Sequence, residues 1–349
     1  LNELEKSLDR IAGCRILVFG DIMLDIYRIG DATRISPEAP VPVLLNPKTE
    51  YRLGGAAAVA AMCAALGARV TLCGIIGNDV SGKVVSDLLA SAGIEQSVDW
   101  TYSRRTTTKE RTCGIASGRH RQQLVRTDTE DTGPLNADLE TALVERVKWA
   151  VKESPDIILI SDYAKGACSI NVVAELNSVK TRVIVDPPRD SALWRERYTN
   201  VSCIVPNRQE ANLSSAAGIA ARLSTHAAIV KLDEEGCEVA VSDDASTTAV
   251  SDRIESHARA VHDVTGAGDQ FLAVLGCARA VDADWFEAAE LANLAAGMQV
   301  ERQGCDPVTL EQLKTEVTQC QSFEKNSALL TAVSIPFTRD TSTYYEPQP

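Results

Sequence analysis

Arg15-Ile-Leu-Val-Phe-Gly20, followed at once by Asp21, is the stretch that decides the fold class. Its apolar run does not alternate with polar residues, so both faces of the strand must be covered. That is the mark of a parallel sheet with helices on both sides. Outward from it, strand and helix signals take turns. Residues 55–66 are Ala-rich and helical, and 70–76 read as a strand. Residues 79–92 carry a 3.6-residue period that stops at Gly93. Residues 136–151 form a helix and 156–161 a strand. Short strands at 182–185 and 202–205 each run into Pro, and another lies at 227–231. Residues 267–280 and 284–300 are two late helices. Strands alternating with such helices imply βαβ units around a mostly parallel sheet.

Two stretches break the rhythm. Residues 26–48 and 100–126 are β-like, and the second is rich in Thr and Arg. They fit either one small sheet lying as a lid over a cleft or a pair of edge hairpins. The expected organisation is a body over 1–320 carrying that sheet, then an extension over 321–349, which is polar and Thr-rich.

The chain has 349 residues and a formal charge of −13, with 45% hydrophobic and 24% charged residues. This is a globular composition with enough apolar residues for a large core. Its acidity does not suit nucleic acid or anionic lipid as partner. The 10 cysteines are scattered without a CxxC and read as buried thiols of a reducing compartment. The 4 histidines lack zinc-ligand spacing. The first ten residues are charged and show no leader-like apolar stretch. No apolar run reaches the ~18 residues of a membrane span. A cytoplasmic protein is expected.

Chemistry concentrates in Asp263-Val-Thr-Gly-Ala-Gly-Asp269, which opens the helix over 267–280. Small residues at a helix N-terminus expose backbone N–H groups that, with the helix dipole, can hold an anion. A carboxylate there would repel phosphate, so Asp269 reads as a general base that takes a proton from an attacking hydroxyl. Gly266, Ala267 and Gly268 would stabilise a transferring phosphoryl group. A Gly-rich turn with a dipole-favoured Asp explains the same residues without chemistry. Gly77-Asn-Asp-Val-Ser-Gly-Lys83 mimics a P-loop, but Val84 stands where a Mg²⁺-binding hydroxyl is needed. It reads as a turn and an N-capped helix. Asp21 and Asp25 lie at the C-terminal end of the first strand, the edge that borders the ligand crevice in open α/β sheets. Gly54-Gly55 permits close approach to a ligand or a tight turn. Asn207-Arg-Gln-Glu210 is a capping box that could also contact phosphate or Mg²⁺ through water.

Together these segments resemble the ribokinase-like (PfkB-type) sugar kinases, in order, over roughly residues 12–318. Gly54-Gly55 is similar to the family's N-terminal signature, and Asp263 to Asp269 to its C-terminal one. The resemblance implies a three-layer α/β/α sandwich with a small β lid, and ATP and Mg²⁺ as cofactors, with a monovalent cation left open. It implies no direct protein ligand to the metal, which arrives with ATP and reaches Glu210 through water. Asn207, Glu210, Lys231, Asp233, Gly236, Thr265 and Asn293 fall on the nucleotide side. Asp21, Asp25, Gly54, Gly55 and Asp162 fall on the sugar side. A homodimer through the lid is implied as well.

A narrower resemblance lies in Gly20-Asp-Ile-Met-Leu-Asp-Ile-Tyr27, Arg34-Ile-Ser-Pro-Glu-Ala-Pro-Val-Pro-Val43 and Ser161-Asp-Tyr-Ala-Lys-Gly166. These are similar to the ADP-heptose-pathway branch. That branch phosphorylates D-glycero-β-D-manno-heptose 7-phosphate at its anomeric hydroxyl, with the signature's last Asp as base. A phosphorylated sugar needs cationic anchors, and Arg34, Lys109, Arg111, Arg126 and Lys165 are the candidates. The chain departs from the branch at Ala58, where a sugar-contacting Asn is usual, and at Pro188, where a Lys is usual. It also has Lys231-Leu232 for Thr-Arg, and a shortened stretch between Glu210 and Ala227. A kinase for another sugar, or a non-catalytic binding protein on this fold, are the competing readings.

Overall fold

The computed structural model describes residues 2–116, 121–242, 249–258, 261, 263–302 and 306–320. The extension expected over 321–349 lies outside the described residues. In chain order the first elements are α1 (Asn2–Ile11), β1 (Arg15–Ile35), β2 (Pro42–Gly55), α2 (Ala56–Ala65), β3 (Arg69–Gly77), α3 (Val80–Ser91) and β4 (Glu95–Thr101). Next come β5 (Thr107–Ile115), β6 (Gln122–Thr129), α4 (Ala137–Lys152), β7 (Ile157–Ser161), α5 (Ile170–Asn177), β8 (Val183–Asp186) and α6 (Ala192–Arg197). Then follow β9 (Cys203–Ile204), α7 (Arg208–Ala211), α8 (Ala216–Leu223), β10 (Ala227–Lys231), β11 (Cys237–Val241), β12 (Val250–Ile254), α9 (Ala267–Ala280) and α10 (Trp285–Val300).

The main sheet runs β12-β11-β10-β9-β8-β7-β1-β3-β4. It is parallel from β4 to β10, and β11 and β12 add antiparallel at the far edge. Because successive side chains of a strand point to opposite faces, each strand feeds two cores. Ile16, Val18, Ile157, Leu159 and Ile229 pack on one side with α1, α2, α3, α9 and α10. Leu17, Phe19, Ile158, Ile160 and Val230 pack on the other with α4, α5, α6 and α8. Complete burial of one such side chain contributes about 1.5–3 kcal/mol, so the continuous apolar runs hold the three layers together.

Polar residues set the helix starts. The Asp79 carboxylate accepts from the Gly82 N–H at 2.7 Å, which explains the P-loop mimic as an N-cap. Asn136 caps α4, accepting from the Leu139 N–H at 2.9 Å. Asp284 and Glu287 form a capping box at α10.

β1 is the surprise. It does not stop at Asp21 but continues unbroken to Ile35, leaving the main sheet to join a second one. There residues 22–35 pair antiparallel with β2, residues 23–31 pair parallel with β5, and β6 completes the sheet beside β5. The charged break expected at Asp21 is absorbed because its carboxylate accepts hydrogen bonds from the Tyr163, Lys165 and Ala167 N–H groups. The second β-like stretch also divides differently from the sequence reading. Trp100 and Thr101 close β4 of the main sheet, and the second sheet takes up the chain only at Thr107. Between Glu210 and Ala227 the chain forms α8.

Candidate active site

Four chain ends meet where β1 passes from one sheet to the other. The loop after β7, the end of β8 and the end of β10 bring Tyr163, Asp186 and Lys231 to the first turn of α9, which carries Asp269. Gly266 makes this arrangement possible. It caps α9 with φ 81°, a left-handed conformation that a side chain disfavours. Thr265 is tied down just before it, donating its N–H and hydroxyl to Asp263 Oδ1 at 2.9 and 2.6 Å. Lys231 Nζ pairs with Asp186 Oδ1 at 2.8 Å, with only 15% and 16% of the two side chains exposed. A Cβ placed on Gly268 would lie 3.4 Å from that ammonium, so Lys231 overlooks the helix N-terminus across an open cradle. A cation facing first-turn N–H groups, which lack intrahelical acceptors, is a setting for phosphate oxygens.

Asp269 is buried, and burial pushes its carboxyl up to about 7, with the Asp186 charge adding to the rise. The Tyr163 hydroxyl, donating to Asp269 Oδ1 at 3.0 Å, and Lys231 act in the opposite sense. A carboxylate at this value can both take and return a proton near neutral pH. Glu210 is also raised, by burial first and by Asp186 next, while the Asn207 N–H that it accepts at 2.8 Å lowers it. Asn207 and Glu210 complete their capping box on α7, and Asn207 forms a backbone bridge to Lys231. Among the described residues no group of three or more His, Cys, Asp or Glu is placed to hold a metal ion.

The second sheet presents a face of opposite character. Register puts Arg52 and Lys109 beside Asp25, Arg111 beside Tyr27, and Arg126 beside Arg111, so all six share one face. Arg111 forms an ion pair with Asp25, and both are nearly buried, at 12% and 8% exposure. The guanidinium carbons of Arg52, Arg111 and Arg121 lie 5.3, 5.3 and 4.6 Å from the centre of the Tyr27 ring. Lys109 lies 4.9 Å over the Tyr163 ring. Gly54 leaves room for Asp25, since a Cβ there would stand 2.8 Å from its Oδ2. Gly55 turns with φ 57° into α2, against the Asp21 carbonyl.

Other candidates from the sequence lie elsewhere or are otherwise engaged. Arg34 is exposed at the far end of β1, opposite Val43. Arg126 makes a bidentate pair with Asp128, at 2.9 and 2.8 Å. Lys165 pairs with Glu130 at 2.7 Å. Asp162 is buried and accepts from Arg197, Tyr198 and the Ala164 N–H. Asp233 sits in an exposed turn beside Arg208, 3.4 Å away. Gly236 (φ 89°) lets the β10–β11 turn press on the Ile254 carbonyl. Asn293 Nδ2 donates to the Glu255 carbonyl at 2.7 Å. Ala58 is buried in α2, and the Pro188 carbonyl accepts from the Trp194 indole.

The chain has relatives in both sequence and fold. The model of the pfkB family carbohydrate kinases matches residues 15–312. The chain belongs to that family. It is a carbohydrate kinase, and its relatives place it near one branch. It is 37% identical over 329 residues to a D-beta-D-heptose 7-phosphate kinase of Bordetella bronchiseptica, covering 89% of this chain and 98% of that one. It is 36% identical to the bifunctional protein HldE of Coxiella burnetii, over 92% of this chain and 68% of the relative. With the HldE protein of Caulobacter vibrioides it shares 40% identity, over 89% and 64% of the two chains. Among solved structures, phosphofructokinase-2 from Escherichia coli superposes with a TM-score of 0.71 at 19% identity, over 88% of this chain and 99% of that one. At that identity the likeness speaks for the ribokinase-like α/β fold alone. The fold brings Lys231 and Asp25 within electrostatic reach of Asp269. It adds Tyr163, Asp186, Arg52 and Arg121, which motif reading passed over. For Arg52 a signal was available: it lies two residues before Gly54 and so on the same strand face.

Proposed function

We propose that this kinase transfers the γ-phosphoryl group of ATP to the anomeric hydroxyl of D-glycero-β-D-manno-heptose 7-phosphate, giving the 1,7-bisphosphate and ADP. The observation that carries the reading is the polarity of the cleft. A raised carboxyl and an anion cradle stand on the α9 side, and an arginine cluster faces them from the second sheet. Guanidinium groups gathered around Tyr27 suit a phosphorylated sugar better than a free one, because they can meet its charge with paired N–H donors. The heptose phosphate kinases among the relatives supply the sugar.

In this reading Asp269 accepts the proton of the anomeric hydroxyl as that oxygen attacks phosphorus. The Gly266 to Gly268 backbone, with Lys231, meets the charge on the transferring phosphoryl group. Asp186 holds Lys231 over the cradle until the nucleotide arrives. Asn207, Glu210, Asp233, Gly236, Thr265 and Asn293 are assigned to the nucleotide side. The carboxylates of Asp186 and Glu210, near each other at the cradle, suit a hydrated Mg²⁺ carried by ATP. That ion would neutralise charge on the phosphates. Asp25 and the Gly54-Gly55 backbone hold the sugar, and Arg52, Arg111 and Arg121 its phosphate. Exposed apolar residues at the rim of the second sheet, Ile35, Val41 and Val125, are the place for a homodimer contact.

The test is ADP release from ATP-Mg²⁺ with the heptose 7-phosphate beside ribose, fructose and fructose 6-phosphate. Turnover confined to the heptose phosphate is the expected result. Turnover with another phosphosugar would keep the kinase and trace the specificity to the departures at Ala58 and Pro188. Silence with every sugar would overturn the heptose phosphate assignment and leave a kinase for a sugar outside this set or a non-catalytic binding role.

A further inference from the structure

We propose that Tyr163 is a positioning residue for phosphoryl transfer: its hydroxyl orients the Asp269 carboxylate, and Lys109 ties that hydroxyl to the second sheet. The inference rests on Asp269 being the base and goes beyond it.

The loop that carries Tyr163 is held with unusual firmness. Asp21 accepts from the N–H groups of Tyr163, Lys165 and Ala167 at 2.8, 3.0 and 3.1 Å. Asp162 accepts from the Ala164 N–H at 2.7 Å, with Ala164 itself at φ 55°. Four hydrogen bonds to two buried carboxylates leave this backbone little freedom. From it the phenol reaches across the cleft to Asp269 Oδ1 at 3.0 Å. With Oδ1 engaged, Oδ2 is the oxygen presented to an incoming hydroxyl.

The phenol is a donor that stays a donor. Burial, then the charges of Asp269 and Asp186, push its own ionisation well above the ordinary tyrosine value. Over the ring face sits Lys109 Nζ, 4.9 Å from the centre, on β5 directly opposite Asp25. A cation on the ring makes the phenolic proton a better donor and joins the sugar-binding strand pair to the base. Loss or displacement of the second sheet would therefore be felt at Asp269 through Tyr163.

The charged groups that face Asp269 from the surrounding elements are Asp25 on β1, Asp186 on β8 and Lys231 on β10, with Tyr163 from the loop after β7. Burial, Asp186 and Asp25 favour the protonated acid, and Tyr163 and Lys231 favour the carboxylate. Removing the hydroxyl tips that balance toward the acid.

The experiment is the pH profile of kcat/KM for Tyr163→Phe, taken as a ratio to the unaltered enzyme at each pH, with ATP-Mg²⁺ and the heptose 7-phosphate. The ratio cancels the titration of the substrate's own phosphate. A hydrogen bond to a charged group is worth about one pH unit or more, so the ratio is expected near ~0.1 at low pH, rising toward ~1 at high pH. A ratio that is constant across pH, whether low or near unity, overturns the proposal. Lys109→Met, at the cleft rim and away from both cores, is the second variant. It should show the same trend with a smaller amplitude, and a flat ratio there overturns the link to the second sheet. Asp269→Asn run beside them separates the two levels. If it keeps turnover, the base assignment has failed. If it is inactive while the Tyr163→Phe ratio is flat, only the positioning role has failed.

Discussion

Asp21 and Asp269 are both buried carboxylates at the same end of the same sheet, and burial raises both, to about 6 and about 7. Their partners differ. Asp21 is surrounded by backbone N–H groups of a single loop. Asp269 meets one phenol and the charges of three other elements. A carboxylate satisfied by peptide groups holds a chain in place, and its charge has nothing further to do. A carboxylate bounded by side chains from separate elements can change state without undoing the backbone. Both lie next to glycines in the motifs, so sequence alone put both on the substrate. Their hydrogen bonds separate the clamp from the candidate base.

Two variants test that separation and a third tests the phosphate side of the cleft, beginning with the largest expected effect. Asp21→Asn presents an amide group to backbone donors that need an acceptor. It should cost about 3 kcal/mol of stability, seen in denaturant unfolding, because buried donors are left unsatisfied. A change within experimental error would mean that Asp21 is no clamp. Next, Arg121→Gln should lower kcat/KM for a phosphorylated acceptor by roughly 10- to 100-fold, the scale of one charge-assisted contact. It should leave thermal stability unchanged. An equal loss with an unphosphorylated sugar would contradict the phosphate assignment.

The smallest effect has the opposite sign to the first. Asp269 has a folded-state value above its unfolded one near 3.8. Its contribution to stability is therefore fully present below about pH 4 and lost as pH rises through about 7. At pH 8 the ionised group is a liability, and Asp269→Asn should raise Tm by about 1–2 °C, as expected for about 1 kcal/mol in a chain of this size. At pH 4 the gain should vanish. A lower Tm at pH 8 would place Asp269 with Asp21 among the structural acids.

Much of this architecture was legible beforehand, for physical reasons. Apolar runs such as residues 157–160 and 227–230 have no polar alternation, and only a sheet covered on both faces can use them. The helices with strong caps, at Asp79, Asn136 and Asp284, begin where their cap residues predict. Elements defined by tertiary context were not legible. The passage of β1 through Asp21 depends on amides donated from a loop more than 140 residues away. β12, Val-Ser-Asp-Arg-Ile, is polar enough to read as loop and is a strand because β11 offers it an edge.

The site divides along the same line. The residues of α9 and the end of β10 are contiguous motifs, and motifs can be read. The arginine cluster joins β1, β2, β5 and the residue just before β6, so it exists only once register is known. Lys165 and Arg126 have the right charge but are matched by Glu130 and Asp128. Charge type alone could not separate them from Arg121, or from Arg52, which stacks on Tyr27 while pairing with Glu50 and Asp306 at 3.5 and 3.2 Å.

The most direct test of the base assignment is sugar-dependent ADP release by Asp269→Asn beside the unaltered chain, with ATP binding and Tm measured on the same samples. The predicted result is a fall in turnover of ~10²–10⁴-fold, with ATP still bound and no loss of Tm at pH 8. Turnover within a few-fold of the unaltered enzyme, in a folded protein that binds ATP, would contradict it and leave Asp269 a buried acid without a catalytic task.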